Sequence, residues 1–318
     1  MKLICLDGAT LYSVDDARWG RLSEFADVEI YDNTPADMVV ERACDAELLL
    51  TNKVPVGAAE IAALPSLRYI GVLATGYNIV DTEAARAAGI TVCNIPAYST
   101  ASVAQHVFSL LLGITGRVER YAAEVSQGSW SRCKDFTYRN GEWHELAGKT
   151  MGIVGYGNIG SAVARIAEAM GMNVAVATSK PQSALPQGFV KLSVDDLFAT
   201  ADVVSLHCPL TPDTRGMADA RRLAMMKPSA ILINTARGPL VDEAALADAL
   251  NEGRIAAAGL DVLSTEPADA ACPLPGARNC FITPHVAWAS VEARQRLLDI
   301  TVENIRAFIA GAPVNVVN

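Results

Sequence analysis

The sequence lacks the apolar runs that a membrane protein needs. No segment reaches the roughly 18 consecutive apolar residues of a transmembrane helix, and the first apolar run is broken at Asp7, too early for a signal peptide. Positive charge is also scarce, with a formal net charge of −9 at pH 7. Because phosphate-binding faces need clustered Lys and Arg, we expect no nucleic-acid or membrane-surface partner. The lack of a predicted membrane span or signal peptide leads us to expect a cytoplasmic location.

Metal-binding patterns are absent as well. The chain has four histidines and seven scattered cysteines, with no CxxC pair and no second His or Cys at metal-ligand spacing. We therefore predict no metal site, and thiols that stay reduced in a reducing compartment.

The composition that is present indicates a well-folded protein. With 318 residues, of which 51% are hydrophobic and 19% charged, the chain can bury a sizeable core and is long enough for two domains. Short apolar runs alternate with helical patterns, which is typical of βαβ units and parallel sheets. Five strand candidates precede residue 97 and six follow residue 149: KLICLD, VEIYD, AELLLTN, LRYIGVLA, TVCNIP, then TMGIVG, NVAVAT, VVSLHC, AILINTA, AAAGLDV and CFITPH.

Three other segments connect or flank these two series. The stretch STASVAQHVFSLLLGIT predicts a long apolar helix, with Ser99 and Ser102 as candidate N-caps. Residues 126–146 are polar and irregular, and they predict an extended connection. Near the C-terminus, VEARQRLLDITVENIRAFIAG spaces apolar residues three and four apart, which predicts an amphipathic helix docked on a neighbouring element.

A glycine-rich turn stands between a predicted strand and a predicted helix. The segment TMGIVGYGNIGSAVARIAEAMGMNVAVAT carries Gly155, Gly157 and Gly160 in a GxGxxG arrangement. In this setting the first glycine permits a tight turn, the second lets a pyrophosphate approach, and the third lets helix and strand pack closely. The helix N-terminus offers N–H groups and a positive dipole end to phosphates. This context favours a dinucleotide site over a purely structural turn.

The position that distinguishes NAD from NADP carries no acid. About 20 residues after the glycines, a carboxylate commonly binds the ribose hydroxyls, but this chain has Thr178, Ser179 and Lys180. An Asp would repel a 2′-phosphate, so its absence removes the discrimination against NADP. These residues favour NADP, or use of both cofactors, over NAD alone. The alternative interpretation of Lys180 is a solvated surface charge.

Three later strand candidates end in polar side chains that can take part in chemistry. Arg237 follows AILINTA, Asp261 and Glu266 follow AAAGL, and His285 follows CFITP. The carboxyl ends of parallel strands converge on one ligand crevice. A cation, a carboxylate and an imidazole can therefore meet there, in an arrangement suited to proton-coupled hydride transfer.

Five segments together resemble the D-isomer-specific 2-hydroxyacid dehydrogenase family. They follow one another in unbroken order over nearly the whole chain, so the resemblance is more specific than any single motif. VLATGYNIVD and PAYSTASVAQHV are most similar to the glycerate dehydrogenase or hydroxypyruvate reductase members. The five segments are NIPAYSTASVAQHVFSLLL, ELAGKTMGIVGYGNIG, NTARGPLVDEAALADAL, AGLDVLSTEP and TPHVAWAS.

The resemblance implies a role for each of three side chains. Arg237 would bind the substrate carboxylate and contact the carbonyl oxygen, a task suited to a planar guanidinium that stays charged. His285 would protonate the C2 oxygen during reduction and take the proton back during oxidation. Glu266 would hydrogen-bond the imidazole and fix its tautomer.

Further contacts are implied around these three. Backbone N–H groups near Thr75, Gly76 and Tyr77 would complete the carboxylate site from the first domain. Trp288 would either wall the substrate pocket or pack in the core. Asp261 would contact the nicotinamide carboxamide, although a strand-end Asp can equally cap a helix. The implied cofactor contacts are Gly155, Gly157, Asn158, Ile159, Gly160, Thr178, Ser179, Lys180, Cys208, Pro209, Thr235, Ala236, Asp261 and His285.

The other histidines have no such context. For His106, His144 and His207 we prefer a structural role in the core. Gln105 stands where family members commonly have Glu, and no consequence follows from the residue itself.

The resemblance also implies the architecture: two doubly wound α/β domains with parallel sheets. A Rossmann dinucleotide-binding domain of residues 99–286 would be inserted into a flavodoxin-like substrate domain of residues 1–98 and 287–318. The apolar helix that begins near Ser102 would pair across the axis of a homodimer.

The expected activity is NAD(P)-dependent reduction of a small 2-keto acid, with hydroxypyruvate or glyoxylate favoured, to the D-2-hydroxy acid. One rival is a formate or phosphite dehydrogenase on the same fold. Glu266 argues against formate, because the residue that supports the histidine there is typically Gln. A second rival is a nucleotide-sensing protein like the dehydrogenase-related co-repressors, although this chain lacks any extra interaction tail.

Overall fold

The computed structural model describes all residues of the chain, 1–318, and they divide into two compact units. Unit 1 comprises Met1–Ser99 and Ala289–Asn318, and unit 2 comprises Thr100–Trp288. None of the helices combines the length and the apolar character that crossing a membrane requires.

Unit 1 is built on a five-stranded parallel sheet in the order β2-β1-β3-β4-β5. This is the flavodoxin-like doubly wound order. The fully buried side chains of Ile4, Leu49, Ile70 and Val92, one from each of four neighbouring strands, form the centre of its apolar core. The strands are β1 (Lys2–Cys5), β2 (Asp27–Ile30), β3 (Leu48–Thr51), β4 (Tyr69–Val72) and β5 (Thr91–Cys93).

Unit 2 contains a seven-stranded parallel sheet in the order β12-β11-β10-β9-β6-β7-β8. Counted from β6, this order contains the Rossmann arrangement, in which the first and fourth strands of the unit are neighbours. The predicted fold class is therefore confirmed. The strands are β6 (Thr150–Val154), β7 (Asn173–Ala177), β8 (Val190–Lys191), β9 (Val203–Leu206), β10 (Ile231–Asn234), β11 (Ala257–Leu260) and β12 (Cys280–Ile282).

Helices cover both faces of the unit 2 sheet. Because side chains alternate along a strand, Ile231 and Ile233 face one apolar core and Leu232 faces the other. The helices of the chain are α1 (Val39–Ala43), α2 (Ala58–Ala63), α3 (Thr82–Ala87), α4 (Thr100–Gly116), α5 (Val118–Ser126), α6 (Asn158–Ala169), α7 (Val194–Thr200), α8 (Ala220–Met225), α9 (Glu243–Asn251) and α10 (Val291–Ile309). Short 3-10 turns occupy Gly8–Thr10, Ala17–Glu24, Ala36–Met38, Trp130–Arg132, Gln182–Ala184 and Gly238–Leu240.

The C-terminal helix α10 returns to unit 1, as its amphipathic pattern indicates. Ser290 caps it by accepting a hydrogen bond from the Ala293 backbone N–H. On its inner face the side-chain amide of Asn304 donates to the Asn94 carbonyl at 3.0 Å. The chain that follows α10 pairs with β5 through Val316.

Two local predictions were wrong or incomplete. Ser102 does not cap α4, because the helix already begins at Thr100; its hydroxyl instead donates to the Ala287 carbonyl at 2.6 Å. Strand β8 was not predicted, since a two-residue edge strand has no periodicity to detect. Residues 126–146 contain the last residue of α5, one 3-10 turn and no strand, in agreement with a connecting segment.

Candidate active site

The glycine loop lies between β6 and α6, at the carboxyl end of the unit 2 sheet. Gly155 has a φ of +96°, and a Cβ there would lie 2.6 Å from the Cys208 backbone nitrogen, so only glycine fits. A Cβ at Gly160 would lie 2.1 Å from the Gly155 carbonyl oxygen, which shows how closely α6 approaches β6. Gly157 has open space on its Cβ side. The three glycines therefore have the geometry that the motif predicts.

Polar groups without partners surround this loop. Gly157 occupies the N-cap of α6 and offers no side-chain acceptor, so N–H groups of the first turn remain available to an anion. Thr235 follows β10, and its buried hydroxyl has no hydrogen-bond partner within the chain. An orphaned hydroxyl and an uncapped helix N-terminus at one sheet edge fit a dinucleotide. Cys208 and Pro209 follow the neighbouring strand β9.

Two lysines accompany the position after β7 where an acid is commonly found. The Lys180 ammonium lies 5.5 Å from the centroid of the Tyr156 ring, and the Lys180 backbone N–H donates to the Thr178 hydroxyl at 3.3 Å. The Lys191 ammonium donates to the Lys180 carbonyl at 2.7 Å. Lys191 was not among the predicted cofactor contacts, because its strand, β8, has no sequence pattern that predicts it. Its register opposite Val176 is what brings it to this loop.

Arg237 lies in an exposed turn after β10. Its guanidinium donates to the adjacent Ala236 carbonyl at 2.7 Å and forms no ion pair within the chain. The turn is fixed by Asn234, whose side chain accepts from the Ala236 N–H and donates to the Arg237 carbonyl. A Cβ on Gly238 would lie 1.9 Å from the carbonyl carbon of Leu263. The Arg237 turn therefore packs directly against the segment that leads to Glu266.

His285 and Glu266 form the central pair of the site. The His285 Nδ1 lies 2.6 Å from Glu266 Oε2, and Glu266 Oε1 accepts from the Leu263 backbone N–H at 3.0 Å. Since a carboxylate can only accept, Nδ1 carries the shared proton and Nε2 is left for another partner. Both side chains are partly exposed.

Asp261 is buried at the end of β11, with 1% of its surface exposed. Its Oδ1 accepts from the Thr283 hydroxyl at 2.6 Å and from the Val286 N–H at 2.9 Å, and its Oδ2 accepts from the Ala287 N–H at 2.8 Å. It therefore caps no helix, contrary to the alternative interpretation. The implied contact with the nicotinamide carboxamide stays a prediction.

The other predicted substrate residues lie in a loop of unit 1 and at the end of unit 2. Thr75, Gly76 and Tyr77 form a loop after β4 in unit 1, where the Thr75 hydroxyl donates to the Ile95 carbonyl at 2.8 Å. Trp288 is half-buried at the end of unit 2, three residues after His285. Their contacts with substrate stay predictions.

The remaining histidines differ in burial and in hydrogen-bond partners. His207 is partly buried after β9, with Nε2 2.8 Å from the Ser205 hydroxyl. His106 is partly buried on α4, and its Nε2 lies 2.8 Å from the Thr283 hydroxyl. His144 is exposed, so the preference for a core position was wrong there, because the segment around it contains no strand or helix that would bury it.

The sheet order and the glycine loop define a protein of the Rossmann dinucleotide-binding class. No group of three or more His, Cys, Asp or Glu side chains is arranged to hold a metal ion.

Comparison with known proteins defines the family. Residues 108–287 match the NAD-binding domain of the D-isomer specific 2-hydroxyacid dehydrogenases. The chain is 45% identical over 322 residues to a hydroxypyruvate reductase from Blautia hydrogenotrophica, covering 100% of both chains. It is also 45% identical over 291 residues to a glycerate dehydrogenase from Methylorubrum extorquens, covering 89% of each.

A solved structure of an acyclic imino acid reductase in complex with NADPH and D-Arg matches with a TM-score of 0.86 and 30% identity, over 100% of both chains. The chain belongs to the D-isomer specific 2-hydroxyacid dehydrogenase family, as the resemblance in its sequence indicates.

The partly buried imidazole of His207 predicts a pH-dependent stability. Burial lowers the pKa of His207 from 6.5 to about 4. Between about pH 6.5 and 4 the unfolded chain therefore binds a proton that the folded chain does not, so the free energy of unfolding falls by up to about 3 kcal/mol as the pH decreases through this range. Chemical denaturation of wild type and His207→Gln at pH 4.5 to 7.5 should show a shallower pH dependence in the variant. His144→Gln, at an exposed position, should keep the wild-type slope; equal slopes in all three proteins would contradict the assignment.

Proposed function

We propose that this protein reduces a small 2-keto acid to the D-2-hydroxy acid with NADH or NADPH, and catalyses the reverse oxidation. The observation that carries the proposal is the 2.6 Å contact between His285 and Glu266, at the sheet edge that also holds the glycine loop and Arg237. Hydroxypyruvate and glyoxylate are the favoured substrates, since the relatives that match over most of their length include a hydroxypyruvate reductase and a glyoxylate reductase.

Arg237 is the proposed anchor for the substrate carboxylate. Its guanidinium is exposed and free of ion pairs, so it can form the bidentate hydrogen bonds that carboxylates accept. The packing of Gly238 on Leu263 keeps this cation close to the segment that carries Glu266. The loop at Thr75–Tyr77 and the Trp288 side chain are proposed as further substrate contacts.

His285 is the proposed general acid. Nδ1 is held by Glu266, which leaves the Nε2 proton for the C2 oxygen of the substrate. The Glu266 carboxylate accepts from Nδ1 and so keeps the ring in the orientation that presents Nε2. A bound reduced nicotinamide supplies the hydride. In the oxidative direction the neutral His285 takes the proton from the substrate hydroxyl.

The proposal predicts oxidation of NADH or NADPH in the presence of hydroxypyruvate or glyoxylate. His285→Ala should lower kcat at least about 100-fold, because general acid catalysis is lost, while cofactor affinity measured by fluorescence titration stays near the wild-type value. Glu266→Gln should also lower kcat, since Gln holds the ring without a negative charge.

The substrate panel should also contain pyruvate, 2-ketoisocaproate, formate and phosphite. Turnover of formate or phosphite alone would replace the keto-acid reaction. Cofactor binding without any turnover would reject the enzyme in favour of a nucleotide sensor. Wild-type kcat in His285→Ala would reject His285 as the acid.

We further propose that the cofactor site accepts NADPH at least as well as NADH. Thr178 and Ser179 present hydroxyls in place of a carboxylate, and the ammonium groups of Lys180 and Lys191 add positive charge at the same loop. A 2′-phosphate is stabilised by such groups, whereas an acid would repel it.

Cofactor binding to three variants tests this preference. Thr178→Asp should weaken NADPH about 10-fold, equal to about 1.4 kcal/mol, without weakening NADH. Lys180→Met and Lys191→Met should each weaken NADPH alone, which makes NADH the matched control within every titration. If NADPH binds Thr178→Asp as tightly as it binds wild type, Thr178 is not the selectivity position.

We also propose a homodimer formed through unit 2. Large apolar side chains are exposed there, with Phe136 88%, Val118 72% and Trp143 59% accessible. On the same unit, α4, α5 and β12 border an open cavity of about 1010 Å³ whose lining includes Ile114 and Phe281. Protruding apolar groups and a cavity on one unit allow two copies to fill each other's cavities about a two-fold axis.

Light scattering after size-exclusion chromatography tests the dimer. Phe136→Asp and Trp143→Asp should each shift the protein from dimer to monomer, because a carboxylate would be buried without a partner. Val314→Asp, at an exposed valine of unit 1, should leave the dimer unchanged. A monomeric wild type, or dimers in all variants, would contradict this interface.

A further inference from the structure

Two side chains on one face of α4 contact the segment that contains His285. Ser102 and His106 are four residues apart, so they lie on adjacent turns of the same helix face. The Ser102 hydroxyl donates to the Ala287 carbonyl at 2.6 Å, and His106 Nε2 lies 2.8 Å from the Thr283 hydroxyl. The helix therefore contacts the segment on both sides of His285.

The direction of the hydrogen bonds follows from counting protons. The Thr283 hydroxyl has one proton, and its closest acceptor is the charged Oδ1 of Asp261 at 2.6 Å. Its oxygen is then free to accept, so His106 must donate from Nε2. The same proton lies near Asp261 itself, since Nε2 is 3.5 Å from Oδ1. Two successive hydrogen bonds therefore run from His106 to the Thr283 hydroxyl and from that hydroxyl to the buried carboxylate of Asp261.

Asp261 also forms hydrogen bonds with the backbone of the turn that contains His285. Its oxygens accept from the Val286 and Ala287 N–H groups, and its carbonyl accepts from the His285 N–H at 2.8 Å. His285 itself has a φ of +53°, a left-handed conformation that non-glycine residues rarely adopt without support. The turn thus needs several fixed acceptors to hold the imidazole where Glu266 can reach it.

We propose that His106 and Ser102 are positioning residues that clamp the 283–287 segment and so fix the proposed acid, His285. This inference rests on the proposed function. His106 acts as the donor to Thr283, and Ser102 holds Ala287 on the other side of the turn. Neither side chain needs to contact the substrate or the cofactor.

Paired variants on α4 and on Thr283 provide the test. His106→Leu and Thr283→Val remove the donor and the hydroxyl at nearly constant shape, and Ser102→Ala removes the second contact. Each should lower kcat about 10-fold or more, since a 1 Å misplacement of a reacting group costs up to about 100-fold. KM, the dissociation constant of the nucleotide and the thermal midpoint should change little.

Conservative replacements and neighbouring residues supply the controls. His106→Gln keeps an N–H donor and Thr283→Ser keeps the hydroxyl, so both should recover most of the lost kcat. Gln105→Leu and Ser109→Ala change exposed side chains of the same helix that form no hydrogen bond to residues 283–287, and they should leave turnover unchanged. A wild-type kcat in His106→Leu would overturn the proposal. So would a loss of kcat that occurs only together with a lower thermal midpoint and that His106→Gln does not reverse.

A spectroscopic measurement separates this proposal from the proposed function. The chain has four histidines, so the imidazole C2–H resonance of each can be assigned by substitution. The His285 resonance should shift in Thr283→Val and Ser102→Ala but not in Ser109→Ala, even if no keto acid is turned over. An unshifted His285 resonance in both variants would overturn the clamp, whereas absent turnover with shifted resonances would reject only the enzyme assignment.

Discussion

The buried carboxylate of Asp261 is the interaction on which the geometry of the candidate site depends. An ionised side chain with 1% exposure requires several donors, because burial without them would cost far more than an ordinary hydrogen bond contributes. The chain supplies them by folding residues 283–287 around it. That fold forces the left-handed backbone at His285 and directs its imidazole towards Glu266. The hydrogen bonds to the Asp261 carboxylate thus hold the turn at residues 283–287 together.

The parallel sheet of unit 2 explains how distant parts of the sequence reach the same edge. Strands β6, β9, β10 and β11 are neighbours, and the glycine loop, Thr235, Arg237 and Asp261 follow their carboxyl ends. Backbone pairing within the sheet holds the strand ends rigidly, so the loops inherit defined positions. One of the two apolar cores of unit 2 lies between this sheet and helices α4 and α6. It holds α4 where the Ser102 hydroxyl reaches the Ala287 carbonyl, just after β12.

Eleven of the twelve strands, the order of the elements and the glycine turn could be predicted because each has a local signature in period or spacing; the two-residue edge strand β8 has none. The candidate pair His285 and Glu266 could be predicted from strand ends and family resemblance. The hydrogen bond from Ser102 to Ala287 could not, since it joins residues 185 positions apart and depends on how α4 packs. Lys191 was missed for the same reason: its position comes from sheet register and not from a motif.

Gly238 brings the turn that carries Arg237 into contact with the loop that carries Glu266. Its backbone touches that of Leu263 and Ser264 so closely that no side chain fits between them. The turn that carries Arg237 and the loop that carries Glu266 are therefore in direct main-chain contact. Variants meant to change the proposed substrate range are therefore better placed away from this contact, because the turn of the proposed anchor Arg237 and the loop that leads to Glu266 meet through the main chain. A shift of the Arg237 turn would therefore also disturb the Glu266 loop, and the reverse.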